Sequence, residues 1–393
     1  TGTHPTISTT WNVTEGKLIL EPNAPATQIL YEDLQTAVRD IVFSSTDANI
    51  SGEKFFSLTI GDGNYLPSTE HFYVYEENIG ITWSEAKNLA ESSSYFGLQG
   101  YLVTIFSEEE NIIKTLSFLA SDKLEGRDSG SAGIEKASVF LENIFKTNNV
   151  KPYFKTYRDT LSNFDKTSYN IVGYIEGTDA KLKNEFVIIG AHYDHIGKIS
   201  AVNGDEIANG ANDNASGSTA VTEVMKYFAQ SKSNKRSLLF VFFSAEEKGL
   251  LGSKHLAKKL KDQNMNLYFM FNFEMIGVKM NREDMLLYLT GFGRSNMAQK
   301  MNEYAGEKLI GYIPAETQYQ LFRASDNYPF FNEFEVPAQT VSTFDFENFD
   351  FYHQPDDEFE LMDTKHMTNV VNKMIPVLEK MMNASTKEIQ LKK

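Results

Sequence analysis

The chain has 393 residues and a formal net charge of −16 at pH 7. That acidic balance argues against nucleic-acid or anionic-membrane partners, and no run of about twenty apolar residues is present to span a bilayer. Because the chain has no cysteine, disulfides and zinc–thiolate sites are excluded.

The length and the 41% hydrophobic content suit one large α/β domain with an appendage. Residues 1–65 are predicted to be β-rich, because short apolar runs such as Leu18–Leu20 and Phe55–Ile60 lie among turn residues. We therefore divide the chain into a β-rich segment (1–65), a second short segment (66–111) and a main domain (112–393).

Residues 71–111 resemble the front half of a bacterial C-type lectin-like domain. The run GITWSEAKNLAESSSYFGLQGYLVTIFSEEEN carries the resemblance, with Trp83 in the first helix and Gly100–Ile105 as the strand after it. The second half of such a domain, with its calcium-binding loop, does not follow. We therefore treat this segment as part of the N-terminal appendage and do not expect it to bind glycans.

From Ile112 onward, helix and strand patterns alternate along the chain. An apolar helical stripe starts at Ile112, and a second helix is predicted over Ile134–Thr147. The predicted strands are Tyr169–Ile175, Glu185–Ala191, Leu238–Ser244, Tyr268–Met275, Met285–Leu289 and Pro337–Val341. The later helices are predicted at Thr219–Gln230, Leu250–Leu260, Ser295–Tyr304 and Thr364–Met382. Apolar strands that alternate with amphipathic helices indicate a sheet covered on both faces.

Candidate metal ligands stand at the ends of these strands. His192, Glu246, Glu247 and Glu274 each fall at or just after the end of a predicted strand. In sheets of this kind, ligands bind beyond the carboxyl ends of the strands. The four side chains are therefore expected to share one site.

Histidine and carboxylate ligands without thiolate suit zinc, cobalt or manganese in a catalytic role. His192 and Asp194 are two residues apart and point the same way, so one can bind a metal while the other, or a neighbour, orients the imidazole. Asp213, in a Gly/Asn-rich turn, is placed to sit between two cations. Two such cations lower the pKa of a shared water and so create a nucleophile at neutral pH.

The pair Glu246–Glu247 can divide two tasks. Neighbouring side chains on an extended segment diverge, so one carboxylate can bind a metal while the other faces the attacking water. Metal binding and proton transfer are both needed for hydrolysis. We assign Glu247 as a ligand and Glu246 as the general base.

Five motifs in sequence order carry a family resemblance: AHYDHIG, NGANDNASG, SAEEKGLLGS, NFEMIG and FYHQPDDE. Over about 112–382 the chain resembles the co-catalytic zinc exopeptidases of the aminopeptidase S and leucyl aminopeptidase type, relatives of glutamate carboxypeptidase and the glutaminyl cyclases. The resemblance implies an α/β fold with a mixed, largely parallel central sheet and helices on both faces. It also implies two Zn²⁺ ions per chain, with Co²⁺ or Mn²⁺ as substitutes.

The same resemblance implies a ligand set. His192 and Glu274 bind one metal, Glu247 and His353 bind the other, and Asp213 bridges the two. Many members of the family carry aspartate where this chain has Glu274. Because a carboxylate is retained, metal binding is expected to survive the extra methylene.

Further roles follow from the resemblance. Asp194 orients His192, Glu246 is the general base, and Tyr352 steadies the oxyanion of the tetrahedral intermediate. A cis peptide bond is expected at Asp213–Asn214. His195 is close enough to support the ligands, but we expect it to pack or to contact a turn.

The sequence thus predicts a zinc-dependent aminopeptidase that acts on peptides. One alternative keeps the fold and changes the reaction: a single-zinc acyltransferase like the glutaminyl cyclases. A second alternative is a non-catalytic binding or adhesion protein with a degenerate peptidase fold. The resemblance also implies export to the periplasm or the medium, although the first residues, TGTHPTISTT, do not read as a signal peptide.

Overall fold

The structure is a computed structural model that describes residues 4–12, 17–23, 29–41, 59–60, 63–66, 71–74, 89–95, 98–99, 108–202 and 204–392. Trp83 and Gly100–Ile105, on which the lectin-like resemblance rests, lie outside the described residues, as do the first four residues of Phe55–Ile60. That part of the sequence interpretation stays a prediction.

The strands are β1 Ile7–Asn12, β2 Lys17–Pro22, β3 Thr59–Ile60, β4 Gly63–Leu66, β5 His71–Tyr73, β6 Ser94–Tyr95, β7 Leu98–Gln99, β8 Lys151–Pro152, β9 Arg158–Thr160, β10 Tyr169–Ile175, β11 Phe186–His192, β12 Gly197–Val202, β13 Asp205–Ala208, β14 Ser237–Phe243, β15 Leu267–Phe273, β16 Leu287–Leu289, β17 Ile310–Gly311 and β18 Ala338–Ser342. The helices are α1 Tyr31–Arg39, α2 Glu108–Leu119, α3 Ala132–Thr147, α4 Gly217–Ser231, α5 Leu251–Asp262, α6 Met297–Ala305, α7 Pro314–Gln318, α8 Asn327–Phe334 and α9 Thr364–Asn383.

The chain forms two compact units, residues 1–56 with 76–104 and residues 57–75 with 105–393. In the first unit β1 pairs antiparallel with β2, and α1 follows them in the chain. The second unit contains the antiparallel β3–β4–β5 sheet and the central sheet. The N-terminal region is therefore rich in short strands, as predicted, with the addition of α1.

A nine-stranded sheet forms the centre of the second unit, in the order β17-β16-β18-β15-β11-β14-β10-β8, with β9 also paired to β10. Strands β18, β15, β11 and β14 run parallel to one another, and the sheet becomes antiparallel at the β16/β18 and β10/β14 pairings. The fold is thus the mixed α/β sheet that the alternating pattern predicts.

Helices cover both faces of this sheet. In β11, Val187 and Ile189 belong to the core that includes α2, α3, α4, α6 and α9, while the intervening Ile188 packs in a second core with α5 and α8. Alternate residues of a strand point to opposite faces, so a strand buried on both sides is apolar throughout. All seven residues of β14 and of β15 are buried for this reason.

Capping side chains define where two helices begin. The Ser131 hydroxyl accepts a hydrogen bond from the Ile134 amide at the start of α3, and Asp363 accepts one from the His366 amide at the start of α9. These contacts satisfy N–H groups that have no partner inside the helix. The predicted strand and helix positions in the main domain are confirmed to within a few residues. The sequence did not predict the β12–β13 hairpin or helices α7 and α8.

The second core should respond to truncation of a single leucine. Leu256 of α5 is fully buried, and its replacement by alanine is expected to lower the free energy of unfolding by about 2–5 kcal/mol, because buried methyl groups are lost and a cavity remains. Urea denaturation followed by circular dichroism measures the change. The matched control is Leu361→Ala at a leucine that is 45% exposed, expected to change stability by no more than about 0.5 kcal/mol. Equal losses in the two variants would contradict this description of the core.

Candidate metal centre

The predicted ligands meet where three neighbouring strands end. Strand β11 lies between β14 and β15, in parallel register with both, and His192 is its last residue. Glu246 and Glu247 follow the end of β14, and Glu274 follows the end of β15 directly. The fold therefore brings these four side chains to the same edge of the sheet.

One cluster of ligand atoms forms around His192. Its Nε2 atom lies 2.9 Å from Glu274 Oε1 and 3.3 Å from Asp213 Oδ1. Its Nδ1–H donates to the Asp194 carbonyl oxygen at 3.1 Å, which leaves Nε2 directed at the two carboxylates. The Ser325 hydroxyl donates to Glu274 Oε2 at 2.6 Å. Glu274 is therefore held at its second carboxylate oxygen, the one that does not face His192.

A second cluster forms around His353. Its Nε2 atom lies 3.1 Å from Asp213 Oδ2 and 3.2 Å from Glu247 Oε2. Asp213 therefore presents Oδ1 to one imidazole and Oδ2 to the other. This is the arrangement expected of a carboxylate shared by two cations.

The donor set fits tetrahedral zinc at both places. Nitrogen and oxygen atoms bonded at about 2.0–2.1 Å to a tetrahedral ion are separated by roughly 3.3 Å from one another. The separations of 3.1–3.3 Å at Asp213 are close to that value, and His353 Nε2 is buried without a hydrogen-bond partner among the described residues. An ion between these atoms would satisfy that nitrogen.

Asp213 is fixed by its loop. Both oxygens of the buried Asp357 carboxylate accept main-chain hydrogen bonds, from Asn212 N at 2.7 Å and from Asp213 N at 3.0 Å. The Asp213–Asn214 peptide bond is cis, as expected. At Gly210, where φ is +59°, a Cβ atom would lie 2.2 Å from the Asp213 carbonyl oxygen, so only glycine fits.

A fully buried arginine, Arg127, forms hydrogen bonds with the same loop. The Arg127 guanidinium donates to the carbonyl oxygens of Tyr193, Asn209 and Gly210, and also to that of Leu119. Burial lowers the pKa of Arg127 to about 10, and the charge of the nearby Asp357 opposes that shift. Arg127 and Asp357 were not identified from the sequence, because an isolated buried arginine or a second aspartate in PDDE has no distinctive spacing.

The carboxylates control the protonation of the histidines. Burial disfavours the charged imidazole of His192, but the charges of Glu274 and Glu246 outweigh it and raise its pKa well above the usual value. Burial likewise opposes protonation of His353, while Asp213 and Glu247 raise its pKa to about 10. The protein without metal therefore binds protons where a cation would sit.

The pKa of Glu246 is shifted in the opposite direction to that of Glu247. Burial raises the pKa of Glu246 well above the usual value, and the carboxylates of Asp326, Glu274 and Glu247 add to the rise. In Glu247, burial and the charge of Asp213 are overcome by the imidazoles of His195 and His353, which lower its pKa. The two glutamates are therefore suited to different tasks, one to holding a proton and the other to remaining a carboxylate.

Asp194 and Tyr352, to which the sequence assigned supporting roles, each contact one of the two histidines. The Asp194 carboxylate is 3.8 Å from His192 Nδ1 and instead accepts the main-chain N–H groups of Glu246 and Glu247 at 3.2 and 3.4 Å. Its carbonyl oxygen, rather than its carboxylate, orients the imidazole. The Tyr352 ring stacks on His353 with the centroids 3.9 Å apart, and 42% of Tyr352 is exposed.

His195 lies inside the cluster. It is fully buried, and its Nδ1 atom is 2.9 Å from Glu247 Oε1. The sequence interpretation expected packing or a turn contact. The spacing of three residues from His192, which places both imidazoles beyond the end of β11, was the available signal for a closer role.

A cavity of about 110 Å³ opens directly beside the ligands. Its lining combines His192, Asp213, Glu246, Glu247 and Glu274 with an apolar wall that includes Tyr288, Leu321, Phe344, Phe346 and Tyr352. A bound molecule would therefore place a polar group at the carboxylates and an apolar group against the aromatic wall. Among the described residues, no helix is both long and apolar enough to cross a bilayer.

The chain is similar in sequence to known peptidases. The family model described as peptidase family M28 matches residues 170–378. A probable leucine aminopeptidase of Trichophyton verrucosum is 27% identical over 328 residues, which cover 81% of this chain and 81% of the relative. Aminopeptidase YwaD of Bacillus subtilis is 30% identical over 204 residues, which cover 50% of this chain and 41% of YwaD.

Solved structures share the fold. The LapA aminopeptidase of Legionella pneumophila superposes with a TM-score of 0.56 at 21% identity, over 79% of this chain and 78% of LapA. BSAP, a zinc aminopeptidase from Bacillus subtilis, gives a TM-score of 0.55 at 16% identity, over 72% of this chain and 98% of BSAP.

Zinc binding should release protons from this site. The pKa of His353 is about 10, so its imidazole is protonated at pH 7.5, and the pKa of His192 is shifted in the same direction, whereas a ligand nitrogen must be unprotonated. Binding is therefore expected to release about one or more protons per chain, and the apparent zinc affinity should rise with pH. Calorimetry in buffers of different ionisation enthalpy measures the release.

The control is the His353→Ala variant. Its zinc binding should release about one proton fewer per chain than that of the unaltered protein. A binding enthalpy that is the same in every buffer would contradict the protonation described here.

Proposed function

The chain belongs to peptidase family M28, and we propose that it is a two-zinc aminopeptidase that removes apolar residues from the N termini of peptides. The observation that carries the proposal is the Asp213 carboxylate, which faces His192 with one oxygen and His353 with the other. Each half of the site then has an imidazole, the shared aspartate and a further glutamate.

In the proposed mechanism His192, Glu274 and Asp213 would hold one zinc, and His353, Glu247 and Asp213 would hold the other. When bound, the two ions would activate a water molecule and polarise the scissile carbonyl. Asp213 and the two glutamate ligands bring three negative charges against four positive ones, so the site can also accept the negative charge that develops during attack.

Glu246 moves the proton. One of its carboxylate oxygens lies within 4.8 Å of the ligand atoms of His192 and Glu274, on the wall of the cavity. Its raised pKa suits a group that accepts a proton from water and returns it to the leaving amine. Tyr352 lines the same cavity, and we assign its hydroxyl the role of donor to the oxyanion.

The cavity also accounts for the proposed substrate. Acidic side chains at its polar end, including Glu246 and Glu274, would attract a free α-ammonium group. The aromatic wall formed by Phe344, Phe346 and Tyr352 favours an apolar N-terminal side chain. The leucine aminopeptidase named among the relatives is consistent with that preference. Export to the periplasm or the medium belongs to the proposal as well, on the family resemblance.

The alternatives fit this site less well. A glutaminyl cyclase-like acyltransferase needs one zinc, whereas ligand-type side chains here gather in two groups, one containing His192 and the other containing His353. A non-catalytic binding protein would have no need of a half-buried Glu246 with a raised pKa beside the ligands. The experiments below distinguish both alternatives from the proposed aminopeptidase.

Replacing the proposed base should separate metal binding from turnover. Glu246→Gln is expected to retain zinc while kcat on leucyl 4-nitroanilide falls by about 10²–10⁴, because the amide cannot accept the proton. Atomic absorption measures the zinc, and steady-state kinetics measures kcat. Glu303→Gln, at an exposed glutamate of α6, is the matched control and should behave like the unaltered enzyme. A Glu246→Gln enzyme with full zinc and nearly normal kcat would remove the assignment.

Substrate choice tests the exopeptidase mode. Leucyl 4-nitroanilide should be hydrolysed, whereas N-acetyl-leucyl 4-nitroanilide should react at least about 100-fold more slowly, since acetylation removes the cationic amine from a desolvated charged contact. A chelator should abolish the first reaction and added Zn²⁺ should restore it. Comparable rates on the two substrates would contradict an aminopeptidase, and chelator-resistant activity would contradict the metal site.

A further inference from the structure

His195 contacts the second cluster at a different oxygen of Glu247 from the one that faces His353. Its Nδ1 atom contacts Glu247 Oε1 at 2.9 Å, while His353 Nε2 is 3.2 Å from Glu247 Oε2. The two oxygens of one carboxylate thus face two different imidazoles. Because a carboxylate oxygen only accepts, the His195 contact is an Nδ1–H donated to Oε1.

The distances separate His195 from the ligands. His353 Nε2 is within 3.1–3.2 Å of both carboxylates of its cluster, close to the separation around one tetrahedral ion. His195 Nδ1 is 3.9 Å from Asp213 Oδ2, so it approaches only the glutamate. The geometry therefore favours a donor to Glu247 over a further ligand.

The ring of His195 cannot move away from Glu247. The side chain is fully buried, and its main-chain N–H donates to the Arg127 carbonyl oxygen at 3.3 Å. A Cβ atom at Gly210 would lie 2.6 Å from the imidazole Cδ2 and Cγ, so the ring lies directly against the loop that presents Asp213. The His353 ring also lies next to the His195 ring, with the ring centroids 5.5 Å apart and the ring planes at 69° to each other.

We propose that His195 is a positioning residue that holds Glu247 Oε1 and thereby presents Oε2 to the zinc shared with His353 and Asp213. Without this donor, the glutamate could rotate or bind through either oxygen, and the second ion would be held less tightly. The proposal rests on the two-zinc site proposed above and adds a residue to which the ligand set assigns no role. Partners of this kind typically contribute about 10–100-fold to metal affinity.

The test measures zinc affinity, not hydrolysis. Metal-free protein is titrated with Zn²⁺ against a chromogenic chelator, which gives a dissociation constant for each ion. His195→Leu should weaken one of the two ions by roughly 10–100-fold and leave the other within about threefold. His195→Asn, whose side-chain NH₂ can donate near the position of Nδ1, should lose less. His366→Asn, at a buried histidine at the start of α9, is the matched control and should bind both ions normally.

A double-mutant cycle identifies the affected ion. In a His353→Ala background, adding His195→Leu should change zinc binding little further, because the same ion is already weakened. In a His192→Ala background the two losses should add. Circular dichroism and urea denaturation establish that each variant is folded before titration.

Two outcomes would overturn the proposal. If His195→Leu binds both ions as tightly as the original protein, the contact to Glu247 does not position it. If His195→Asn and His195→Leu both abolish one ion, and the Co²⁺ form changes its absorption spectrum, His195 is a ligand instead. A protein that binds two ions normally but hydrolyses no aminoacyl anilide would contradict the proposed function and leave this inference intact.

Discussion

The carboxylate of Asp213 has to face two imidazoles at once, and much of the surrounding structure serves that requirement. Its oxygens lie 3.3 Å from His192 Nε2 and 3.1 Å from His353 Nε2, although the two histidines are 161 positions apart in the chain (353 − 192). The main chain at Asp213 is held by both oxygens of Asp357, and the residues before it are held by Arg127. A small rotation of this loop would break contact with one imidazole or the other.

Charge explains why the site is built for cations. Glu246, Glu247, Glu274 and Asp213 converge beside the cavity, and their mutual repulsion favours bound protons, which raises the pKa values of His192, His353 and Glu246. Buried charges of one sign are costly unless they are paired or bind a metal. Metal binding would replace these protons, and it would also stabilise the folded chain, because the unfolded chain has no such site.

The sequence predicted the location of the site well because the physical rule behind it is general. Parallel strands end at the same edge of a sheet, so His192, Glu247 and Glu274 were expected to meet, and they do. Asp213 and His353 lie on loops, and their place in the ligand set came from the family resemblance. The cis bond at Asp213–Asn214 was anticipated in the same way.

The contacts that support the ligands could not be predicted, because they depend on how loops pack against one another. The sequence interpretation expected Asp194 to orient His192, and its carbonyl oxygen does contact the imidazole, but the contact of its carboxylate with the amides of Glu246 and Glu247 was not predicted. His195 was expected to pack or to contact a turn, whereas it contacts Glu247. Arg127 and Asp357 bind main-chain groups of the loop. Because every residue has such groups, these contacts produce no recognisable pattern in the sequence.

Diffraction from zinc-loaded crystals at the zinc absorption edge tests the central claim most directly. The account predicts two anomalous peaks flanking the Asp213 carboxylate, one next to His192 and Glu274 and the other next to His353 and Glu247. A single peak, or zinc bound away from Asp213, would contradict it.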